Sequence, residues 1–152
     1  MPTCRDVMTR EPVYCAPSDP VTRAAELMRS HDVGSLPVVE PGDTGRLVGM
    51  VTDRDLVLKI VAGPHAAERA TVRDAMTAEA WSCRADEDVS RAVSMMADKR
   101  VRRMPIVDGE GRLVGIIAEA DVAKPRDRAE TRTGARIDAS LQPAAGRNQL
   151  RT

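Results

Sequence analysis

The densest run of chemically capable residues is Gly49-Met50-Val51-Thr52-Asp53-Arg54-Asp55. An apolar run ends at Thr52 and a helical pattern begins there, so a hydroxyl, a guanidinium and two carboxylates share one strand-to-helix corner. Thr52 and Asp55 have the spacing of a capping box, worth about 1 kcal/mol. The same carboxylate could accept hydrogen bonds from adjacent hydroxyls, such as those of a ribose, and ligands gather at strand ends in α/β proteins. A second run, Gly115-Ile116-Ile117-Ala118-Glu119-Ala120-Asp121, has lost the hydroxyl and kept the aspartate. Retention without the capping partner suggests a duty beyond capping, with service to the helix dipole as the structural alternative.

A matched pair of segments precedes two short apolar runs: Val33-Gly34-Ser35-Leu36-Pro37 and Val101-Arg102-Arg103-Met104-Pro105. Gly34 and Ser35 would let a flat ligand approach the backbone. Arg102 and Arg103 suit a phosphate, at ~1.5–3 kcal/mol per charge-assisted bond. Their plain alternative is a solvated basic loop, or pairing with the acidic stretch 86–88. His31 and His65 stand alone in polar surroundings, and no nucleophile–base–orienter set is visible. Walker, GxGxxG and HExxH patterns are absent from the sequence, so no enzyme is expected. Cys15 and Cys83 occupy equivalent places, which reads first as small residues on a half-buried strand and second as a redox pair. With Cys4 they lack the spacing of a metal site.

These residues come in pairs because the chain repeats itself. Aligning Arg5–Val39 with Arg73–Val107, a shift of 68, gives 13 identities in 35 positions; after a loop two residues longer in the first copy, Gly45–Gly49 matches Gly111–Gly115. Each copy predicts an extended segment (around Val13 and Trp81), a helix, a hairpin and a second helix. Ser18 and Asp86 are the expected N-caps. Val21, Ala24, Ala25 and Met28, with Val89, Ala92, Val93 and Met96, form the apolar stripes. The hairpins, Leu36–Val39 with Leu47–Val51 and Met104–Val107 with Leu113–Ile117, are apolar at successive positions, which implies cover on both faces. The second helix runs from Thr52 to Gly63-Pro64 in copy one; Pro125 curtails its counterpart. A unit of roughly 55 residues cannot bury both faces of its sheet alone, so two copies are expected to pack about a pseudo-twofold axis.

Twenty-three basic and 23 acidic side chains give zero net charge, which argues against a nucleic-acid binder held by bulk charge. The balance is uneven, however. Residues 124–152 hold seven basic and three acidic side chains, a net +4 against −4 for the rest. That tail has few large aliphatic residues and is expected to be disordered. Tyr14 and Trp81 are the only aromatic side chains, too few for a base-stacking platform. No apolar stretch approaches the ~18 residues of a membrane span. MPTCRDVMTREP lacks the apolar core of a secretion signal, so the expected compartment is the cytoplasm.

The doubled pattern of D-x-M-T, helix, G-x-L-P-V-V or R-R-x-P-I-V, and L-V-G-h-h-T-x-x-D (h apolar) resembles a tandem cystathionine-β-synthase (CBS) domain pair, or Bateman module, of the stand-alone bacterial type. The resemblance implies an α+β fold of two β-α-β-β-α repeats, residues 4–63 and 72–124, with 125–152 as the tail. It implies a non-catalytic sensor with two clefts for an adenine nucleotide (AMP, ADP or ATP) or S-adenosylmethionine, and no required cofactor. One implied cleft joins Thr52, Arg54 and Asp55 to Thr77, Trp81, Arg102 and Arg103. The other joins Asp121 to Thr9, Val13, Gly34 and Ser35, and is expected to be weaker because Ala118 replaces the hydroxyl. The family further implies a homodimer of pairs and a regulated protein partner of unknown identity, with neither membrane nor nucleic acid expected. The alternative function is a stress-response interaction scaffold with empty clefts, controlled by its cysteines.

Overall fold

The computed structural model describes residues 1–122; the tail 125–152 lies outside the described residues. In chain order the elements are α1 (Cys4–Val7), β1 (Thr9–Arg10), α2 (Val21–His31), β2 (Ser35–Val39), β3 (Leu47–Thr52) and α3 (Asp53–Asp55), which continues as a wider π turn over Leu56–Val61. There follow α4 (Val72–Ala75), β4 (Thr77–Ala78), β5 (Cys83–Arg84), α5 (Val89–Lys99), β6 (Arg103–Val107), β7 (Leu113–Ala118) and a 3-10 turn, Glu119–Val122.

Both expected hairpins form. β2 pairs antiparallel with β3, and β6 with β7. Their turns use glycine where φ is positive, at Gly42, Gly45 and Gly111, a region closed to most side chains by Cβ crowding. The hairpins meet turn to turn: Leu47 N–H donates to the Gly111 carbonyl at 3.0 Å and Leu113 N–H to the Gly45 carbonyl at 2.9 Å. These reciprocal bonds flank an antiparallel bridge between Arg46 and Arg112 and mark the pseudo-twofold axis.

What binds the repeats together is an exchange of arms. The Met-Thr arm of copy one crosses to copy two, where Thr9 of β1 stands opposite Ile116 of β7. The arm of copy two crosses back, and Thr77 of β4 stands opposite Met50 of β3. The cores are exchanged likewise. Val72 and Ala75 complete the core built on Val21, Ala24, Met28, Leu36, Val38 and Val51. Cys4 and Met8 complete the one built on Ala92, Met96, Met104, Ile106 and Ile117. The glycine of each L-V-G run is the seat for the incoming arm. A Cβ on Gly49 would lie 2.5 Å from the Thr77 carbonyl oxygen, and one on Gly115 would overlap the Met8 side chain.

Two expectations are corrected and one pair of elements is new. The helix caps are Pro20 and Asp88 rather than Ser18 and Asp86; Asp88 accepts the Ser90 N–H at 2.8 Å, which holds its carboxyl below the usual range. The i+4 members of the apolar stripes, Ala25 and Val93, face solvent, so each helix buries a stripe narrower than its apolar pattern. Finally, α1 and α4 escape the periodicity argument, being single turns. Each is closed by a capping box, Thr3 with Asp6 and Thr71 with Asp74.

Candidate functional site

The first corner is built where β3 turns into α3. The Thr52 N–H donates to Asp55 Oδ2 at 2.9 Å and the Asp55 N–H donates to Thr52 Oγ1 at 3.0 Å, the reciprocal capping expected from the spacing. Lys59, one helical turn on, places Nζ 3.3 Å from Asp55 Oδ1 and donates to the Ala75 carbonyl at 3.0 Å. Lys59 thus ties the corner to the arm of the other repeat. The Asp55 side chain is 16% exposed. A carboxylate has about four acceptor positions, so the contacts with Thr52 and Lys59 leave it capacity toward solvent.

Around this aspartate the hairpin brings Ser35 opposite Thr52, and the Asp53 N–H donates to the Gly34 carbonyl at 2.9 Å. Gly34 is small for a local reason: a Cβ there would come within 3.1 Å of Asp53 Oδ2. Thr77, on the arm, stands opposite Met50, two residues before Thr52. Asp53, Arg54 and Thr77 are exposed, so the corner presents both charge signs and a hydroxyl to solvent.

The second corner repeats the backbone and not the chemistry. Asp121 Oδ2 accepts the Ala118 N–H at 2.8 Å. Half of the capping box therefore survives the loss of the hydroxyl, and retention of Asp121 has a structural cause; it does not by itself require a ligand. Arg103 stands opposite Ala118, the Glu119 N–H donates to the Arg102 carbonyl at 2.8 Å, and Thr9 lies opposite Ile116.

Across the repeats, register places Thr77 opposite Met50, two residues before Thr52, and Thr9 opposite Ile116, two residues before Ala118. But Gly34 and Ser35 neighbour Thr52 and Asp53 of their own repeat, while Arg102 and Arg103 neighbour Ala118 and Glu119 of theirs. A hairpin necessarily sets the residue entering its first strand beside the residue leaving its second. Val13 is half-buried against the first core. Its counterpart Trp81 is 51% exposed, with Lys99 Nζ 4.1 Å from the ring centroid, a cation–π contact.

A cavity of about 460 Å³ opens near the meeting turns, lined by Glu11, Pro12, Tyr14, Val39, Gly45 and Leu113. A smaller one of about 80 Å³ lies by Arg5, Arg84 and Asp108. Neither is lined by Asp55 or Asp121. Among the described residues no group of three or more His, Cys, Asp or Glu could hold a metal ion, and no helix is long and apolar enough to cross a membrane.

The thiols are redistributed as well. Cys15 belongs to the first core, whereas Cys83 shares the second with Cys4. The structure does not bring Cys15 and Cys83 together as the second of the two readings required; both are small buried residues in separate cores, as the first reading had it. Burial pushes the Cys15 thiol up to about 12 and the Cys4 thiol up to about 11.

Sequence reasoning missed Lys59, Asp53 and the two seat glycines. Lys59 could have been found from its i+4 spacing to Asp55. The glycines were visible as repeats, but their partners were not.

A family model for the CBS domain matches residues 4–62 and again 72–126. Hypoxic response protein 1 of Mycobacterium tuberculosis is 37% identical over 124 residues, covering 82% of this chain and 85% of that protein. A crystal structure of Hypoxic Response Protein I with two coordinated zinc ions superposes with a TM-score of 0.71 at 36% identity, covering 79% of this chain and 95% of that one. The structure of CBSX2 in complex with AMP gives 0.70 at 27% identity, covering 80% and 94%.

Proposed function

This chain belongs to the CBS domain family, with two CBS domains in tandem, and on that premise we propose that it is a non-catalytic regulatory module that binds an adenosyl ligand, AMP foremost. The observation that carries the reading is the first corner. Asp55, pinned by Thr52 and Lys59 yet open to solvent, lies beside Ser35 of its own repeat and Thr77 of the other. A pinned carboxylate can meet ribose hydroxyls without reorganising. Because the corner combines parts of both repeats, a ligand there would favour one arrangement of the pair over another, which is all a regulatory ligand needs to do. The AMP complex of CBSX2 supports the ligand class. The second corner, without a hydroxyl, is the weaker site in this reading, with Arg102 and Arg103 as its anion contacts.

The reading includes a homodimer. Val57, Leu58 and Val61 on the turns after β3 are 54%, 50% and 76% exposed, an apolar face that a second copy would cover; sedimentation of a Val61→Glu variant tests this and should give the monomer.

The ligand is tested by melting the protein against AMP, ADP, ATP and S-adenosylmethionine. At ~100 times its dissociation constant a ligand adds about 2.7 kcal/mol of stability. The expected result is a shift with AMP that Asp55→Ala removes. No shift with any of the four, or a shift indifferent to Asp55→Ala, sinks the reading.

A further inference from the structure

The pseudo-twofold pairs every position of the second core with one in the first, and at one place the chemistry differs in a telling way. Cys15 and Val72 of the incoming arm both belong to the first core. The equivalent positions in the second core are Cys83 and Cys4, both buried at 1% and 0% exposure. Both side chains lie in that one buried cluster, and the Cys4 thiol donates to the Asp88 carbonyl at 4.0 Å. Cys4 opens α1, which is stitched to the residues after β5 by Cys4 N–H to the Glu87 carbonyl at 2.8 Å and Arg5 N–H to the Ala85 carbonyl at 2.9 Å. Those bonds anchor the residues of α1 to the segment that begins two residues after Cys83.

The geometry points to Cys4 and Cys83 as a dithiol that oxidises to an intramolecular disulfide, locking the N-terminal arm onto the second repeat. The lock bears on function because that arm continues directly into Met8, seated on Gly115, and Thr9, paired with Ile116 beside the second corner. The chemistry needs a two-electron oxidant such as a hydroperoxide. One thiolate attacks the peroxide, the O–O bond breaks, and a sulfenic acid and an alcohol (water, from hydrogen peroxide) result. The second sulfur then attacks the sulfenic sulfur, the S–S bond forms, and the hydroxyl leaves as water with the second thiol's proton. A low-molecular-weight disulfide serves equally by exchange, releasing two thiols. Burial keeps both thiols protonated in the closed state, so reaction proceeds through opening of the short terminal helix, the part of a chain most prone to fray. The switch is therefore slow and responds to sustained oxidation. It is independent of the nucleotide reading.

The full chain is equilibrated with oxidised glutathione, or with hydrogen peroxide, a few degrees below its melting midpoint. Remaining thiols are blocked, and the protein is digested with trypsin without reduction. The expected product is a bridge between peptide 1–5 and peptide 74–84, with peptide 11–23, which carries Cys15, recovered blocked. The bridged protein should melt roughly 10 °C higher than the reduced one, since the bond closes a long loop. Cys15→Ala should form the bridge as wild type does. Cys4→Val, which copies what the first core already holds at Val72, should fold and fail to form it. A bridge that includes peptide 11–23, one that joins two chains, or none after equilibration overturns the inference.

Discussion

The two corners come from one duplicated sequence and have drifted to different degrees of constraint. In the first, Asp55 meets the Thr52 backbone, returns a backbone donor to the Thr52 hydroxyl, and pairs with Lys59, which reaches the other repeat's arm. In the second, Asp121 keeps the contact to the Ala118 N–H alone. Position 125, where the counterpart of Lys59 would fall, is proline. The difference teaches that an aspartate at such a corner is first a fold element. Its chemistry is set by what else surrounds it, a hydroxyl and an ammonium in one copy and two arginines in the other.

The largest test of this comparison goes to the seats. Gly49→Ala meets the backbone oxygen of Thr77, which cannot step aside, whereas Gly115→Ala meets the flexible Met8 side chain. Overpacking of this kind costs roughly 1–3 kcal/mol, so denaturant unfolding should place Gly49→Ala near the upper end and Gly115→Ala near the lower. Equal costs would mean the arms are seated alike.

A smaller effect is expected at the caps. Thr52→Ala should lose about 1 kcal/mol, and Ala118→Thr should recover part of that by completing the second box. Chemical denaturation of both variants checks the pair; if Ala118→Thr destabilises, the corners are less alike than their backbones. Lys59→Met is expected to cost about 0.5 kcal/mol, since the ammonium is nearly half exposed and screened. Its sharper signature is faster hydrogen exchange at the backbone of α4, which Lys59 clasps through Ala75.

A last effect, of the same modest size, separates the cores by pH. Buried thiols with raised pKa values stabilise the fold below the unfolded pKa of about 9, and that stability is lost as pH rises. For Cys15 the loss at pH ~9.5 is under about 1 kcal/mol, and Cys15→Ala should flatten that share of the alkaline slope in a pH series of unfolding curves. The second core, with two thiols, should retain the larger share.

Much of the fold was legible because duplication printed it twice. The hairpin strands, the long helices α2 and α5 and the capping box at Thr52 all follow from local spacing. The one-turn helices α1 and α4 were not, since four residues carry no period. The corner residues were legible in type, while their neighbours followed only from the strand register. Gly34, Ser35, Arg102 and Arg103 belong by hairpin register to their own repeats' corners, an inference the hairpins themselves license.

What the sequence determined alone is the duplication, the doubled α+β unit, the asymmetry between Thr52 and Ala118, and the split between an acidic body and a basic tail. All are local or compositional properties. Only the tertiary structure decided that the arms cross between repeats, that Gly49 and Gly115 receive them, and that Cys83 shares a core with Cys4 instead of Cys15. Each depends on which distant segment fills a buried space. Either arm could satisfy the same apolar pattern, and steric fit between non-local partners, which no local spacing records, makes the choice.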